Sequence, residues 1–343
     1  MTTVFITGGA GFIGCNLAAH HLRKRDRVVI FDNLSRPRTL HNLDWLREQF
    51  GESQLCFIQA DIRDFDVLRE AVHATKPDLI VHLASQVAVT TSIKNPREDF
   101  EINALGTFNV LEAARSQPNP PAVFYASTNK VYGGMEQISV VEEATRYRYR
   151  DHPDGISEEW PLDFHSPYGC SKGAGDQYVR DYARIYQLPT VVFRQSCIYG
   201  ERQFGVEDQG WVAHFVIATI TGKPITIYGD GKQVRDLLHV EDLIAAYDAA
   251  WKHIEVARGQ IFNIGGGVSN SLSIWHEFRP ILELLATRPV EAQYAQWRPG
   301  DQLVFISDNR KAHRLLGWSP KVDVRTGIQR LWNWVTENRH LFI

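Results

Sequence analysis

Thr3-Val4-Phe5-Ile6-Thr7-Gly8-Gly9-Ala10-Gly11-Phe12-Ile13-Gly14 decides the fold. Its first five residues are apolar and mostly β-branched or aromatic, the composition of a buried strand. Gly8, Gly11 and Gly14 follow, and then an apolar helical stretch from Cys15 to Leu22. A glycine-rich turn between strand and helix lets the backbone approach a pyrophosphate, which then rests on the helix N-terminus. A second strand, Arg27-Val28-Val29-Ile30-Phe31, ends in Asp32, 18 residues after Gly14. A carboxylate there accepts from the adenosine ribose hydroxyls and repels a 2′-phosphate, so the pattern favours NAD over NADP. Arg36 and Arg38, a few residues on, are the charges that pull the other way.

Strand-like runs recur outward from this unit at Leu55–Gln59, Leu79–Ala84, Ala122–Ala126 and Thr190–Phe193, with helical segments between them. The alternation predicts an α/β protein: a Rossmann-type, doubly wound parallel sheet with helices on both faces. Ligands of such sheets bind beyond the carboxyl ends of the strands, where Asp32, Asp61, Ala84, Ser127-Thr128 and Arg194 fall. Asp61-Ile62 could hold the adenine, or Asp61 could cap the next helix. Past residue 195 the alternation fades, and Arg298-Pro299-Gly300-Asp301 and Trp318, Trp332 and Trp334 belong to a smaller C-terminal α/β substrate lobe that the tryptophans pack. The expected division is an NAD-binding domain of residues 1–193 plus about 234–264, and a lobe of about 194–233 plus 265–343.

With 343 residues the chain forms one large or two closely joined domains. Its 37 basic and 40 acidic side chains leave no basic field for nucleic acid. The stretch Arg146-Tyr147-Arg148-Tyr149-Arg150 could be a phosphate or nucleic-acid patch, but reads better as a solvated rim or subunit contact. Cys15, Cys56, Cys170 and Cys197 show neither a C-x-x-C pair nor Cys/His metal spacing, which predicts reduced thiols and no metal. The first strand begins by residue 3, leaving no room for a signal peptide, and no apolar run is long enough for a membrane span. These features together predict a cytoplasmic protein with no membrane partner.

Tyr168-Gly169-Cys170-Ser171-Lys172 places a phenol and an ammonium one helical turn apart, on one helix face. A nearby cation favours phenolate, so the spacing predicts a tyrosine tuned below its usual value of about 10. Such a group can take the proton of an alcohol while a nicotinamide takes the hydride. Alone the pattern is common on solvated helices; the glycine turn and Asp32 give it meaning.

Together Thr7–Gly14, Asp32, Ser127-Thr128, Tyr132-Gly133 and Tyr168–Lys172 resemble the extended short-chain dehydrogenase/reductases that modify nucleotide sugars, the NAD-dependent epimerase/dehydratase family. The likeness runs from Met1 to about residue 335. Within that group the chain is most similar to the CDP-paratose 2-epimerases. The residues behind this closer likeness are Gln86–Ser92, Ser127–Gly133, Asp163–Lys172 and Gly231–Asp236. The resemblance implies a catalytic set of Thr128, which hydrogen-bonds the reacting hydroxyl, Tyr168, which exchanges its proton, and Lys172, which holds the nicotinamide ribose. It implies a tightly bound NAD regenerated in each turnover. Gly8, Gly11, Phe12, Ile13 and Gly14 would receive it, with Asp32, Asn33 and Ser35 after the second strand and Asp61 and Ile62 after the third. Leu83, Ala84, Asn103, Tyr168 and Lys172 complete that set.

The 4,6-dehydratases of the family carry an Asp-Glu pair where this chain has Asn129-Lys130, and an amide and an ammonium cannot do carboxylate chemistry. The implied reaction is therefore epimerisation: oxidation at C2 to a 2-keto sugar and return of the hydride to the opposite face. Gln209, Arg235 and Arg298 are the candidate substrate contacts with Thr128, since guanidinium recognises phosphate through paired hydrogen bonds. Thr226 to Tyr228 would lie near the pyrimidine. Cys197 stands where most relatives carry Asn, and a thiol is the poorer hydrogen-bond partner. A homodimer or homotetramer is implied, with the Tyr168 helix and the segment Asp99–Ala114 at the contact. Two alternatives remain at this stage: a UDP-sugar 4-epimerase of the same superfamily, and a non-catalytic NAD(H)-sensing regulator.

Overall fold

The computed structural model describes residues 1–298 and 301–343. Seven strands form one sheet: β1 (Thr3–Thr7), β2 (Arg27–Asp32), β3 (Leu55–Gln59), β4 (Leu79–His82), β5 (Ala122–Thr128), β6 (Thr190–Gln195) and β7 (Ile261–Ile264). Their spatial order is β3-β2-β1-β4-β5-β6-β7, and the pairings from β3 through β5 are parallel. This is the Rossmann-type α/β fold that the strand–helix alternation predicted. Val4, Phe5, Ile6, Val28, Val29, Ile30 and Phe31 are fully buried. Strands covered by helices on both faces read as continuous apolar runs for that reason. Burying one such side chain contributes about 1.5–3 kcal/mol. Strand burial rather than the glycine turn therefore carries the stability, and the turn is left to shape a site.

By its contacts the chain forms two compact units. Unit 1 comprises residues 1–131, 166–194 and 247–262; unit 2 comprises 132–165, 195–246 and 263–343. The strand order in unit 1 reverses between β1 and β4, the switch point where such sheets bind ligands. The segment expected as one helix over Asp99–Ala114 is three consecutive pieces, Pro96–Phe100, a π-helical turn Glu101–Leu105, and Gly106–Arg115. π-turns occur often at functional sites.

Unit 2 has its own core, built on the helices Trp211–Thr221, Arg279–Ala286 and Val324–Glu337. Phe215, Trp275, Phe278 and Trp334 are buried in it. Trp318 is buried too and donates its indole N–H to the Asp242 carbonyl at 2.9 Å. No helix among the described residues is long and apolar enough to cross a membrane.

Candidate active site

Gly8 is the residue on which the β1 turn hinges. Its φ of 69° is a left-handed conformation, and a Cβ there would stand 2.7 Å from the Ala84 backbone nitrogen. Gly14 sits in the helix Phe12–Arg23 with its α-carbon against the turn, where a Cβ would collide with the Gly8 carbonyl oxygen and the Gly9 backbone. That helix starts at Gly11 with no side-chain cap, so its first N–H groups stay available. Phe12 and Ile13 occupy its half-buried first turn. Asp32 is buried at the end of β2; its carboxylate accepts from the Ala10 N–H at 3.0 Å and the Leu34 N–H at 2.8 Å. Burial pushes this carboxyl above its ordinary range, against those two bonds. A carboxylate offers about four acceptor positions, so two remain for ribose hydroxyls. An open helix N-terminus, a side-chain-free cradle and a half-used acid fit a dinucleotide.

Asp61 does not cap the following helix. Asp64 does so, accepting from the Val67 N–H at 3.2 Å. Asp61 instead accepts from Arg63 at 2.8, 2.9 and 3.0 Å and from the Asn33 amide at 2.8 Å, and the Arg63 pairing holds it down at about 2. An adenine amine would therefore have to displace a partner, and the partly exposed Arg63 is the cheapest to move. Asn33 also receives the Ser35 N–H at 3.0 Å, tying the loops after β2 and β3 together. The Ile62 side chain is buried against Gly106, leaving only its backbone for a ligand. Leu83 and Ala84 donate their N–H groups to the Thr7 hydroxyl at 3.2 Å each.

Asn103, expected as a cofactor contact, is buried and engaged by protein partners. Its amide oxygen accepts from Ser85 and Gln86, and its NH2 group faces Gln86, Asp99 and Ser171 at 3.0, 3.1 and 3.2 Å. These bonds tie the loop after β4 to the helix that carries Tyr168 and Lys172. Asp99 and Ser171, both buried, are members of this cluster that the sequence reading missed.

Thr128 ends β5, and Tyr168 and Lys172 lie in the helix Ser166–Ile185; all three are buried. The Thr128 side chain acts on the Tyr168 phenol, favouring its charged form, which brings together the expected pair of hydroxyls; the Thr128 hydroxyl itself lies 3.4 Å from the Asn129 amide oxygen. The expected tuning does not hold for the protein by itself. Burial pushes Tyr168 up to about 12, and Thr128 only partly opposes it. The ammonium of Lys172 donates to the Ala126 carbonyl at 2.6 Å and lies 4.4 Å from the centre of the Tyr125 ring. Burial lowers Lys172 to about 7 against the pull of Asp176 and Asp99. Desolvation dominates at both groups, a balance that spacing alone cannot show. His82, between Thr7 Oγ1 at 2.7 Å and Thr107 Oγ1 at 3.0 Å, is kept neutral by burial, near 3.

Among the described residues of unit 2, Arg235 donates to Asp301 at 2.6 Å and to the Val234 carbonyl at 2.8 Å. Arg298 lies 4.0 Å above the Tyr228 ring and pairs with Asp208 at 3.0 Å; Pro299 and Gly300 lie outside the described residues. Tyr228 donates to Glu207 at 2.8 Å. Gln209 closes a tight turn with Val206 through backbone bonds of 2.9 and 3.0 Å. Cys197 has a φ of 31°, a conformation that non-glycine residues adopt at a cost. In the aromatic-basic stretch Arg148 and Arg150 are exposed, as a solvated rim requires, while the other three side chains turn to protein partners. Arg146 pairs with Glu277, Arg148 with Glu143, and the two tyrosine hydroxyls donate to Asp230 and the Val304 carbonyl, all inside unit 2.

The parallel switch-point sheet, its glycine cradle and the Thr/Tyr/Lys set define a short-chain dehydrogenase-type protein. The family model described as GDP-mannose 4,6 dehydratase matches residues 5–331, and the chain belongs to that family of NAD-dependent epimerases and dehydratases. It is 46% identical over 338 residues to the CDP-paratose 2-epimerase of Salmonella typhi, covering 97% of this chain and 99% of the relative. The UDP-glucose 4-epimerase of Mycolicibacterium smegmatis is 32% identical over 327 residues, covering 95% and 96%. In structure the chain is similar to UDP-glucuronic acid 4-epimerase from Bacillus cereus in complex with UDP-glucuronic acid and NAD. That likeness has a TM-score of 0.83 and 27% identity, and covers 98% of this chain and 99% of the other.

Proposed function

We propose that this chain is an NAD-dependent nucleotide-sugar epimerase that converts CDP-paratose to CDP-tyvelose by inverting C2. The observation that carries the chemistry is the Thr128–Tyr168 hydroxyl pair with Lys172 one turn on. The 46% identity to a CDP-paratose 2-epimerase supports the choice of substrate and carbon. Asn129-Lys130, without a carboxylate, favours epimerisation over loss of water.

Bound NAD supplies a positively charged hydride acceptor that is regenerated within each turnover. Gly8, Gly11 and Gly14 with the open helix end would hold its pyrophosphate, and Asp32 with the Asn33–Ser35 loop its adenosine ribose. Phe12, Ile13, Leu83 and Ala84 would line the same cradle, with Asp61 and the Ile62 backbone toward the adenine. As the hydride leaves C2, Tyr168 takes the proton of the C2 hydroxyl. Thr128 donates to the sugar oxygen throughout, steadying the charge that develops there. Lys172 holds the nicotinamide ribose, and its ammonium lowers the cost of the phenolate. The 2-keto sugar turns its other face, Tyr168 returns the proton to oxygen, and the hydride returns to C2 with inversion. Unit 1 is then the NAD domain and unit 2 the nucleotide-sugar lobe, with Arg235 and Arg298 taking the diphosphate in exchange for Asp301 and Asp208, and Gln209 near the sugar.

A homodimer or homotetramer is proposed on the exposed apolar residues of two helical segments: Phe100, Leu105 and Phe108 on one, Tyr178 and Ile185 on the other. Phe108 and Tyr178 already meet edge to face at 5.9 Å.

Purified enzyme should convert CDP-paratose without added cofactor and keep the label of C2-deuterated substrate. Loss of label to solvent would mean proton exchange at C2 instead of hydride transfer. The 32% identity to a UDP-glucose 4-epimerase supports a second reading, a UDP-sugar 4-epimerase, which preferential turnover of UDP-sugars would select. Tyr168→Phe should abolish turnover, and no turnover in either form would leave an NAD(H)-sensing regulator.

A further inference from the structure

Asp176 lies one helical turn beyond Lys172, on the same helix face. It is fully buried, and its oxygens accept from Arg194 Nη2 and Nε at 2.9 Å each, from the Ser127 hydroxyl at 2.7 Å and from the Gln177 amide at 2.8 Å. Arg194 is itself buried, at the end of β6, and Ser127 directly precedes Thr128. The reaction described above uses none of this cluster. A buried ion pair is weak evidence of a stabilising role, because an apolar replacement is often as stable. Its position next to the catalytic lysine suggests another purpose.

The groups that face Lys172 are few. Asp176 and Asp99 are the anions, and Asp176 has the larger effect on the ammonium. His82 is neutral, Tyr125 keeps its proton because burial pushes it well up, and Tyr168 is the catalytic phenol. Arg194 is tied to Asp176 through Nε and Nη2.

We propose that Asp176 is a positioning residue for the reaction: its carboxylate, oriented by Arg194 and Ser127, keeps the Lys172 side chain in the ammonium form that the Tyr168 phenolate requires. This inference rests on Tyr168 and Lys172 being the catalytic pair. With one proton between them, the pair is either phenol plus amine or phenolate plus ammonium, and only the second takes a proton from substrate. Asp176 favours every form that carries the ammonium. Removing its charge lowers the pH at which the pair loses its first proton, and shrinks the reactive share of the singly protonated pair by the same factor. Below the wild-type midpoint these two effects cancel; above it they do not.

The test is the pH profile of kcat/KM for the NAD-loaded enzyme and its Asp176→Asn variant. The ascending limb should move to lower pH by about one unit or more, the effect of a nearby opposite charge. The plateau should fall by the matching factor, about tenfold per unit, while the two profiles superpose on the acid side. Asp176→Glu, which keeps the charge, should restore much of the plateau. Asp176→Asn strands a buried guanidinium; if it fails to fold, Asp176→Asn with Arg194→Met removes both charges and should show the same coupled change. A loss equal at every pH, or an unmoved midpoint, would overturn the proposal and leave Asp176 a structural residue. Full turnover in Tyr168→Phe would instead remove the catalytic reading on which it rests.

Discussion

Gly14→Ala separates the shape of the cofactor cradle from helix stability. Gly14 lies within the helix Phe12–Arg23 and has no left-handed φ, so alanine meets no backbone penalty there. On propensity alone, alanine stabilises a helix by about 0.5–1 kcal/mol over glycine. The new methyl, however, would overlap the Gly8 carbonyl oxygen and stand 2.6 Å from Gly9 Cα, and both neighbours are backbone. Overpacking of this kind costs about 1–3 kcal/mol. The net expectation is a loss of about 1–2 kcal/mol, taken up by a displaced turn. Since that turn is the proposed pyrophosphate cradle, NAD affinity should fall about tenfold or more, 1.4 kcal/mol being a factor of ten. Calorimetric titration of NAD into stripped protein reads the affinity, and a thermal melt of the same sample reads the stability. Gly51→Ala is the control: φ is 67° but nothing lies within 4 Å of the added carbon. With ψ at −167° it lies in a region that only glycine adopts readily, so it should lose about 1–3 kcal/mol of stability to backbone strain and keep wild-type NAD affinity. Wild-type affinity in Gly14→Ala would refute the reasoning.

Asp32→Ala should weaken NAD at least about tenfold and narrow its preference over NADP, because the charge that repels a 2′-phosphate is gone; paired titrations of both cofactors measure this. Asp61 is depressed from 3.8 to about 2 by Arg63 and Asn33, so its stabilisation is present above about 3.8 and is lost as pH falls through about 2. Acid unfolding of Asp61→Asn should therefore begin from a lower stability at neutral pH and show a shallower loss between those values, while a parallel curve would argue against the pairing. Phe108→Glu, placed on the exposed apolar face, should shift the protein toward monomer in size-exclusion chromatography with light scattering; an unchanged mass would move the interface elsewhere.

The sheet, the glycine turn and the Tyr168–Lys172 spacing could all be read from the chain, because each depends on residues close in sequence. Apolar runs of strand length, glycines between strand and helix, and an i,i+4 pair are local patterns with direct geometric consequences. Tertiary structure decided the electrical state of the site. Only the folded protein shows that burial outweighs the neighbouring Thr128 hydroxyl at Tyr168 and the carboxylates of Asp176 and Asp99 at Lys172, leaving Tyr168 near 12 and Lys172 near 7 in the protein by itself. It also showed that Asp64 rather than Asp61 caps the helix, that Asn103 is occupied by protein partners, and that Arg146 and Arg148 pair with Glu277 and Glu143. Asp176 sits four residues after Lys172, a signal the chain did carry, but its partners Ser127 and Arg194 come from two strands outside that helix. Desolvation and hydrogen bonding are sums over neighbours distant in sequence, and only folding brings those neighbours together.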